Sequence, residues 1–306
     1  MTADTEGSTA TPNAAPASPP ATGGGTWVVL PTYNEADNLP GIAAAILGAL
    51  PGATLLVVDD GSPDGTGRLA DELAAADPRV RVRHRTAKQG LGRAYLDGFE
   101  VARAGDAAVV VQMDADWSHD PAVLPSLVAP IVAGEADLVI GSRYVRGGGV
   151  VDWGLGRRVI SRGGSAFARV VLGLGPHDLT GGFKAWRASS LAAIPSAGVH
   201  AGGYVFQIEM TFRASRLGAR IRELPITFRD RRVGQSKMSR RIVGEALVVV
   251  LELRAEELLG RVRRAGRGAT LAGVPATPIA PGDGPPAAPE VAPLDASAEP
   301  ARSDPS

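Results

Sequence analysis

The sequence contains no cysteine among its 306 residues. Disulfides, thiolate metal sites and cysteine nucleophiles are therefore excluded, which suits a cytosolic protein. Long apolar runs are missing too. No window approaches the roughly 18 uninterrupted apolar residues of a membrane-crossing helix; the nearest, Ala246 to Leu253, is short and carries Glu252. The N-terminus lacks a basic stretch followed by an apolar run, so no signal peptide is visible and a protein kept in the cytoplasm is expected. No Gly-x-x-x-x-Gly-Lys and no Gly-x-Gly-x-x-Gly follows a candidate strand, so phosphates are not held by a glycine-rich loop. A metal ion together with arginines is the remaining way to hold a diphosphate. No Ser/His/Asp nucleophilic set is evident, and His84, His177 and His200 read as structural.

Net charge is also absent, with 32 Lys and Arg against 32 Asp and Glu. The balance hides an asymmetry. Acidic residues gather around the loops of the first half, whereas the chain turns basic from Arg143 through Arg146, Arg157, Arg158, Arg162 and Arg169 to a dense group between Arg213 and Arg241. One reading is a solvated basic face. The other is a domain serving two anionic ligands, or an anionic ligand and a membrane surface. No nucleic-acid partner is expected.

Residues 1–25 and 265–306 are rich in Ala, Pro, Gly, Ser and Thr and poor in large apolar side chains. They bury too little to offset the entropy of ordering and are expected to be disordered tails. Residues 26–264 fit one large domain. Its first half alternates apolar runs with helical patterns. Strands are expected at Trp27–Leu30, Leu55–Val58, Val80–Arg83, Ala107–Met113 and Asp137–Ile140. Helices are expected from Asp37 or Asn38, over Asp64–Ala76 and Leu91–Ala104, and around Leu124–Val132. This alternation predicts an α/β fold with a parallel sheet covered on both faces, its ligands beyond the carboxyl ends of the strands. The second half is less regular, with helices expected at Arg157–Leu172 and Tyr204–Leu217, a strand near Ile221–Phe228 and a long amphipathic helix over Met238–Arg264.

Three loops directly after strands carry chemistry. Pro31-Thr-Tyr-Asn-Glu35 offers a ring at Tyr33 and a carboxylate at Glu35, which could equally favour the next helix's N-terminus. Asp59-Asp60-Gly-Ser-Pro-Asp-Gly65 is good turn chemistry from Gly61 to Gly65 but accounts poorly for two adjacent carboxylates. A carboxylate there can accept a base N–H or a ribose hydroxyl. Gln112-Met-Asp-Ala-Asp-Trp-Ser-His119 places two Asp at i and i+2, where both can reach one hard divalent cation, with Ser118 and His119 completing or bordering the shell. A plain polar cap is the alternative.

Together with Gly-Ser-Arg-Tyr at 141–144, Asp-Leu-Thr-Gly-Gly-Phe-Lys at 178–184 and Gly-Gln-Ser-Lys-Met at 234–238, these motifs occur in an order that resembles the dolichol- or polyprenol-phosphate mannosyltransferases of glycosyltransferase family 2. The resemblance covers nearly all of residues 28–238 and implies a GT-A fold: a mostly parallel twisted sheet flanked by helices, here with a C-terminal amphipathic helix. It implies transfer of mannose from GDP-mannose to a polyprenyl phosphate with inversion. By the same resemblance, Pro31, Tyr33, Glu35, Val58 and Asp60 form the guanosine pocket, and Asp114, Ala115 and Asp116 the diphosphate site. Asp116 and Ser118 would hold Mg²⁺ or Mn²⁺. Arg143, Arg231 and Lys237 would meet phosphate, with Asp116 and Arg143 as the catalytic pair, and Arg157, Arg158 and Ser161 would face the acceptor phosphate. Asp178 and Thr180 could instead form a helix cap or turn. The implied setting is peripheral, on the inner face of the cell membrane, with an integral-membrane partner protein as a candidate. Rival readings are a related transferase using UDP-glucose or another nucleotide sugar, and a non-catalytic membrane-associated scaffold.

Overall fold

The computed structural model describes residues 25–196, 198–200, 202–230 and 240–260. Both expected tails, Gly25 apart, lie outside these residues, as do Arg231 and Lys237. Period-two burial builds the sheet. In strand β1 (Thr26–Thr32), Val28 and Leu30 join one core while Trp27 and Val29 join the other. β2 (Thr54–Asp59) pairs parallel with β1, and β3 (Val80–His84) parallel with β2. β4 (Val109–Gln112) lies parallel on the other side of β1. Ile42 and Ile46 of helix α1 (Leu39–Ala49) and Leu127 and Ile131 of α4 (Leu124–Val132) fill the first core. Tyr95 and Phe99 of α3 (Leu91–Ala104) enter the second core. Helix α2 (Thr66–Ala76) links β2 and β3. Gly98 lets α3 lie close to the sheet, because a Cβ there would stand 2.4 Å from Val29 Cγ1.

Beyond β5 (Leu138–Ser142) come a short β6 (Gly149–Val150) and helix α5 (Leu155–Leu172). The chain then makes a strand that the sequence pattern does not predict, β7 (Lys184–Arg187), antiparallel between β4 and β5. Helices α6 (Ala188–Ala192) and α7 (Gly203–Arg216) follow. The single strand expected over Ile221–Phe228 is two. β8 (Ile221–Pro225) runs parallel to β5, whereas β9 (Thr227–Phe228) pairs with β6 in a separate two-stranded sheet. The division falls at Ile226, whose N–H still donates to the Ser142 carbonyl at 3.0 Å while its own carbonyl already accepts from Gly149 at 2.9 Å. The main sheet therefore runs β3-β2-β1-β4-β7-β5-β8. It is mostly parallel and carries helices on both faces.

The last described helix, α8 (Arg240–Leu258), packs Val250 and Leu253 against α5 and α7. Its Glu257 pairs with Arg216 of α7 and with Arg254. The same helix leaves Val248 and Leu251 exposed. Among the described residues, no helix is long and apolar enough to cross a membrane.

β7 carries an unusual core group. Lys184 is fully buried, and its Nζ donates to the Gln207 carbonyl at 2.8 Å and to Thr211 Oγ1 at 2.9 Å. Burial pulls its pKa from 10.5 down to about 7. The folded chain then binds fewer protons than the unfolded chain between those values, so stability attributable to this group rises with pH across that window. Compared with Lys184→Met by urea unfolding, the wild type should gain relative stability from pH 7 to 9.5, by at most about 1.4 kcal/mol per pH unit. A difference that stays flat with pH would show that Lys184 does not titrate there.

Candidate active site

The parallel strands β1, β2, β4 and β5 end on one edge, and the sequence motifs leave from it. The loop after β4 is held from several sides. Asp116 Oδ1 accepts the Ser118 N–H at 3.1 Å. Trp117 turns the chain with φ of 63°, a left-handed conformation that costs a non-glycine residue. The Asp114 N–H donates to His119 Nδ1 at 3.2 Å. Burial lowers the pKa of His119, so the ring is neutral and its proton sits on Nε2. That ring stacks on Phe183 at 4.8 Å, making His119 a brace for the loop. Tyr95 OH donates to Asp114 Oδ1 at 2.8 Å. Burial, reinforced by that carboxylate, raises the phenol pKa and keeps its proton in place.

At the end of β5, Arg143 is fixed by a buried carboxylate. Its Nε and Nη2 each reach Asp178 at 2.7 Å, and Nη2 also donates to Thr180 at 2.9 Å. Rings of Tyr144, Trp153 and Phe228 surround the guanidinium at 5.1 to 5.5 Å. Asp178 also accepts the Gly181 N–H at 3.1 Å. It is thus a turn residue and an ion-pair partner at once. Burial opposes ionisation of Asp178, but the Arg143 charge and hydrogen bonds outweigh it and hold the carboxyl below its usual range.

Between these two supports lies a cleft of about 400 Å³ lined by Asp114, Asp116, Ser118, Arg143, Trp153, Arg157, Thr180 and Gln207 among others. Among the described residues, seven buried side-chain polar atoms lack a hydrogen-bond partner. Two of them, Arg187 Nε and Arg216 Nε, still face a carboxylate at 3.4 and 2.6 Å. Four of the other five belong to residues of this cleft: Ser118 Oγ, Trp153 Nε1, Arg157 Nε and Gln207 Nε2. An unmade buried hydrogen bond costs about 1–3 kcal/mol, so native proteins keep few of them. Their concentration around one cleft makes it the candidate site.

The expected site residues divide. Asp114, Asp116, Ser118, Arg143 and Arg157 line the cleft, whereas the Ala115 side chain points into the core. Pro31, Tyr33, Glu35, Val58 and Asp60 gather at the ends of β1 and β2, one and two strands away from β4. Pro31 lies opposite Val58, Lys88 Nζ sits 3.3 Å above the Tyr33 ring, and Glu35 Oε2 accepts from Asn38 at 2.7 Å. Asp60 holds the 85–90 loop, accepting from Arg85 and from the N–H groups of Gln89 and Gly90. Asp59 accepts from Thr32 at 3.1 Å and from the Ser62 N–H at 3.0 Å. Local bonding thus accounts for more of the paired carboxylates than turn composition alone indicated.

Of the expected acceptor trio, only Arg157 reaches the cleft; its Nη1 pairs with Asp230 at 2.7 Å and its guanidinium lies 4.0 Å over Trp153. Arg158 is exposed, since adjacent helical residues point about 100° apart. Ser161 Oγ accepts from Tyr144 OH at 2.6 Å. His84, His177 and His200 each meet a carboxylate, from Asp71, Glu223 and Glu209. Trp153 and Gln207 were missed. Gln207 did leave a signal: a polar residue between Phe206 and Ile208 in an apolar helical run.

A family model described as Glycosyl transferase family 2 matches residues 27–194. An undecaprenyl-phosphate mannosyltransferase of Micrococcus luteus is 51% identical over 222 residues, covering 72% of this chain and 90% of that protein. A polyprenol monophosphomannose synthase of Mycolicibacterium smegmatis is 49% identical over 239 residues, covering 78% of this chain and 90% of that protein. Among solved structures, glucosyl-3-phosphoglycerate synthase from Mycobacterium tuberculosis, in complex with Mn²⁺, uridine diphosphate and glucosyl-3-phosphoglycerate, aligns with a TM-score of 0.56 at 23% identity, covering 75% of this chain and 79% of that one. That likeness supports the GT-A architecture alone. By the family match and by identity near one half along most of two relatives, this chain belongs to glycosyl transferase family 2.

Proposed function

We propose that this chain transfers mannose from GDP-mannose to a polyprenyl phosphate, releasing GDP and inverting the anomeric carbon. The observation that carries the reading is the 51% and 49% identity to two relatives whose names specify mannose and a polyprenyl carrier. The cleft supports it with the required chemistry. Trp153 and Arg157, each with a buried donor that lacks a protein partner, line a space large enough for a sugar and phosphate. Arg157, steadied by Asp230 and Trp153, offers a charged donor to the acceptor phosphate. A phosphate monoester has its second pKa near 6 and is largely ionised at neutral pH, so it attacks without a general base.

Mg²⁺ or Mn²⁺ fits the loop after β4. Ser118 Oγ is buried without a partner beside Asp116, and both residues line the cleft. Among the described residues, no group of three His, Asp or Glu side chains is placed to hold a metal ion. A hard cation of this kind is commonly held through one or two carboxylates, with the remaining positions given to substrate oxygens. When bound, the cation would offset charge growing on the leaving diphosphate. With purified full-length chain, Mg²⁺ and polyprenyl phosphate, radiolabelled GDP-mannose should yield lipid-linked mannose. Asp116→Ala should remain folded and lose about a hundredfold or more of that rate, in line with the several kcal/mol a catalytic cation supplies. Transfer from UDP-glucose in preference to GDP-mannose would overturn the donor assignment. Undiminished turnover by folded Asp116→Ala with chelator present would remove the metal from the scheme.

A lipid acceptor requires approach to a bilayer. On α5, Leu155 and Val159 are 79% and 70% exposed and Ile160 is also exposed, with Arg158 and Arg162 alongside. Helix α8 packs on α5 and adds exposed Val248 and Leu251, and both helices supply a cleft residue, Arg157 and Glu245. Apolar residues beside arginines suit an anionic membrane surface. Burying a Val or Leu side chain stabilises by about 1.5–3 kcal/mol. The double variant Leu155→Asp/Val159→Asp should therefore float with anionic vesicles at least about tenfold less than wild type, while GDP affinity stays the same. Equal flotation of both proteins would show that α5 does not meet the membrane.

A further inference from the structure

One side chain in the cleft has its polarity set by a residue that can only donate. The Trp186 indole is fully buried, and its Nε1–H reaches Gln112 Oε1 at 2.5 Å. An indole nitrogen has no acceptor capacity, so the Gln112 amide must turn its oxygen towards Trp186. Its Nε2 then faces Gln207, which presents Oε1 at 3.4 Å. The consequence propagates one residue further. Gln207 Nε2 is directed away from Gln112 as a donor, and it has no hydrogen-bond partner among the described residues although Gln207 is only 2% exposed. The backbone at the same residue is pinned, since the Gln207 carbonyl accepts from Lys184 Nζ at 2.8 Å.

The surroundings of Nε2 indicate what it meets. A Cβ built on Gly182 would stand 3.5 Å from Gln207 Nε2 and 3.6 and 3.7 Å from the two carboxylate oxygens of Asp114. Gly182, Gln207 and Asp114 all line the cleft. A donor and an acceptor therefore both lie close to the position that a side chain at Gly182 would take. An ionised phosphate oxygen has no proton to give and is repelled by Asp114. A hydroxyl can accept from Nε2 and donate to the carboxylate together.

We propose that Gln207 Nε2 and Asp114 hold one hydroxyl of the transferred hexose, which makes Gln207 a specificity-determining residue of this enzyme. The proposal rests on the reading of the cleft as a nucleotide-sugar site. Gln112 and Trp186 act through it as positioning residues.

The test uses the full chain with GDP, GDP-mannose and a set of singly deoxygenated GDP-mannose analogues. Gln207→Leu keeps the size and removes the donor, and Gln207→Glu keeps the shape and replaces the donor with an acceptor. Both should bind GDP within about twofold of wild type, which also shows that they are folded. Both should lose transfer kcat/KM by roughly ten- to hundredfold, the range expected for one buried hydrogen bond. One deoxy analogue should reproduce that loss in wild type and cause little further loss in Gln207→Leu. Wild-type transfer rates in both variants would overturn the proposal, with a water then satisfying Nε2. It is overturned equally if GDP affinity falls as far as transfer, or if every analogue loses the same factor in wild type and variant. The wild-type arm separates this inference from the donor assignment. Transfer from a different nucleotide hexose would sink the mannose reading alone, and the same comparison on that hexose then decides the role of Gln207.

Discussion

Two opposite charges removed from water, Arg143 and Asp178, set the terms for the rest of the site. Desolvating such a pair costs several kcal/mol per ion, and the cost is recovered only when geometry is good and other hydrogen bonds are made. Here the contact is bidentate, the Arg143 N–H adds a third bond at 3.0 Å, and Thr180 and Gly181 satisfy more of both groups. The pair ties the end of β5 to the loop that leads into β7. That loop supplies Thr180, Gly181 and Gly182 to the cleft, and β7 supplies Lys184 and Trp186 beneath it. Because the carboxyl of Asp178 is held below its usual range, its stabilisation is fully present above the unfolded value near 3.9. It is lost as pH falls through the folded value.

The cleft shows a division of labour. Some polar groups are engaged by the protein and serve as supports: Asp178, His119, Tyr95, Gln112 and Lys184. Others are buried and left incomplete: Ser118 Oγ, Trp153 Nε1, Arg157 Nε and Gln207 Nε2. The supports keep the incomplete groups from relaxing towards one another. Such preorganisation puts the cost of orientation into folding, before any ligand binds. It also explains why aromatic residues cluster on the Arg143 side, where they exclude water from the ion pair and strengthen it.

Much of this was legible in the sequence. Apolar runs marked β1 and β2 closely, because buried parallel strands need little else, whereas the edge strand β3 alternates Val with half-buried Arg. The Asp-Ala-Asp motif after β4 stood out by its spacing, two carboxylates at i and i+2 leaving a strand, and both of them line the cleft. β7 was not legible. Its four residues begin with Lys and end with Arg, and only a tertiary setting that solvates Lys184 with Gln207 and Thr211 allows them into the middle of a sheet. The acceptor trio was read from motif order, but a helix turns each residue to a different side, so Arg157 entered the cleft and Arg158 did not. Gln207 depended on contacts across 95 and 23 positions of sequence, which no local pattern reveals.

The central claim, that a buried ion pair fixes the wall of this cleft, is tested most directly by equilibrium urea unfolding of Asp178→Asn. The substitution preserves shape and removes the negative charge, leaving the Arg143 charge in the interior without its Asp178 counter-charge. Breaking one partner of a buried pair typically costs about 3–5 kcal/mol, and a loss of that size is expected. An Asp178→Asn protein within about 0.5 kcal/mol of wild type, the ordinary range for a surface substitution, would contradict the account.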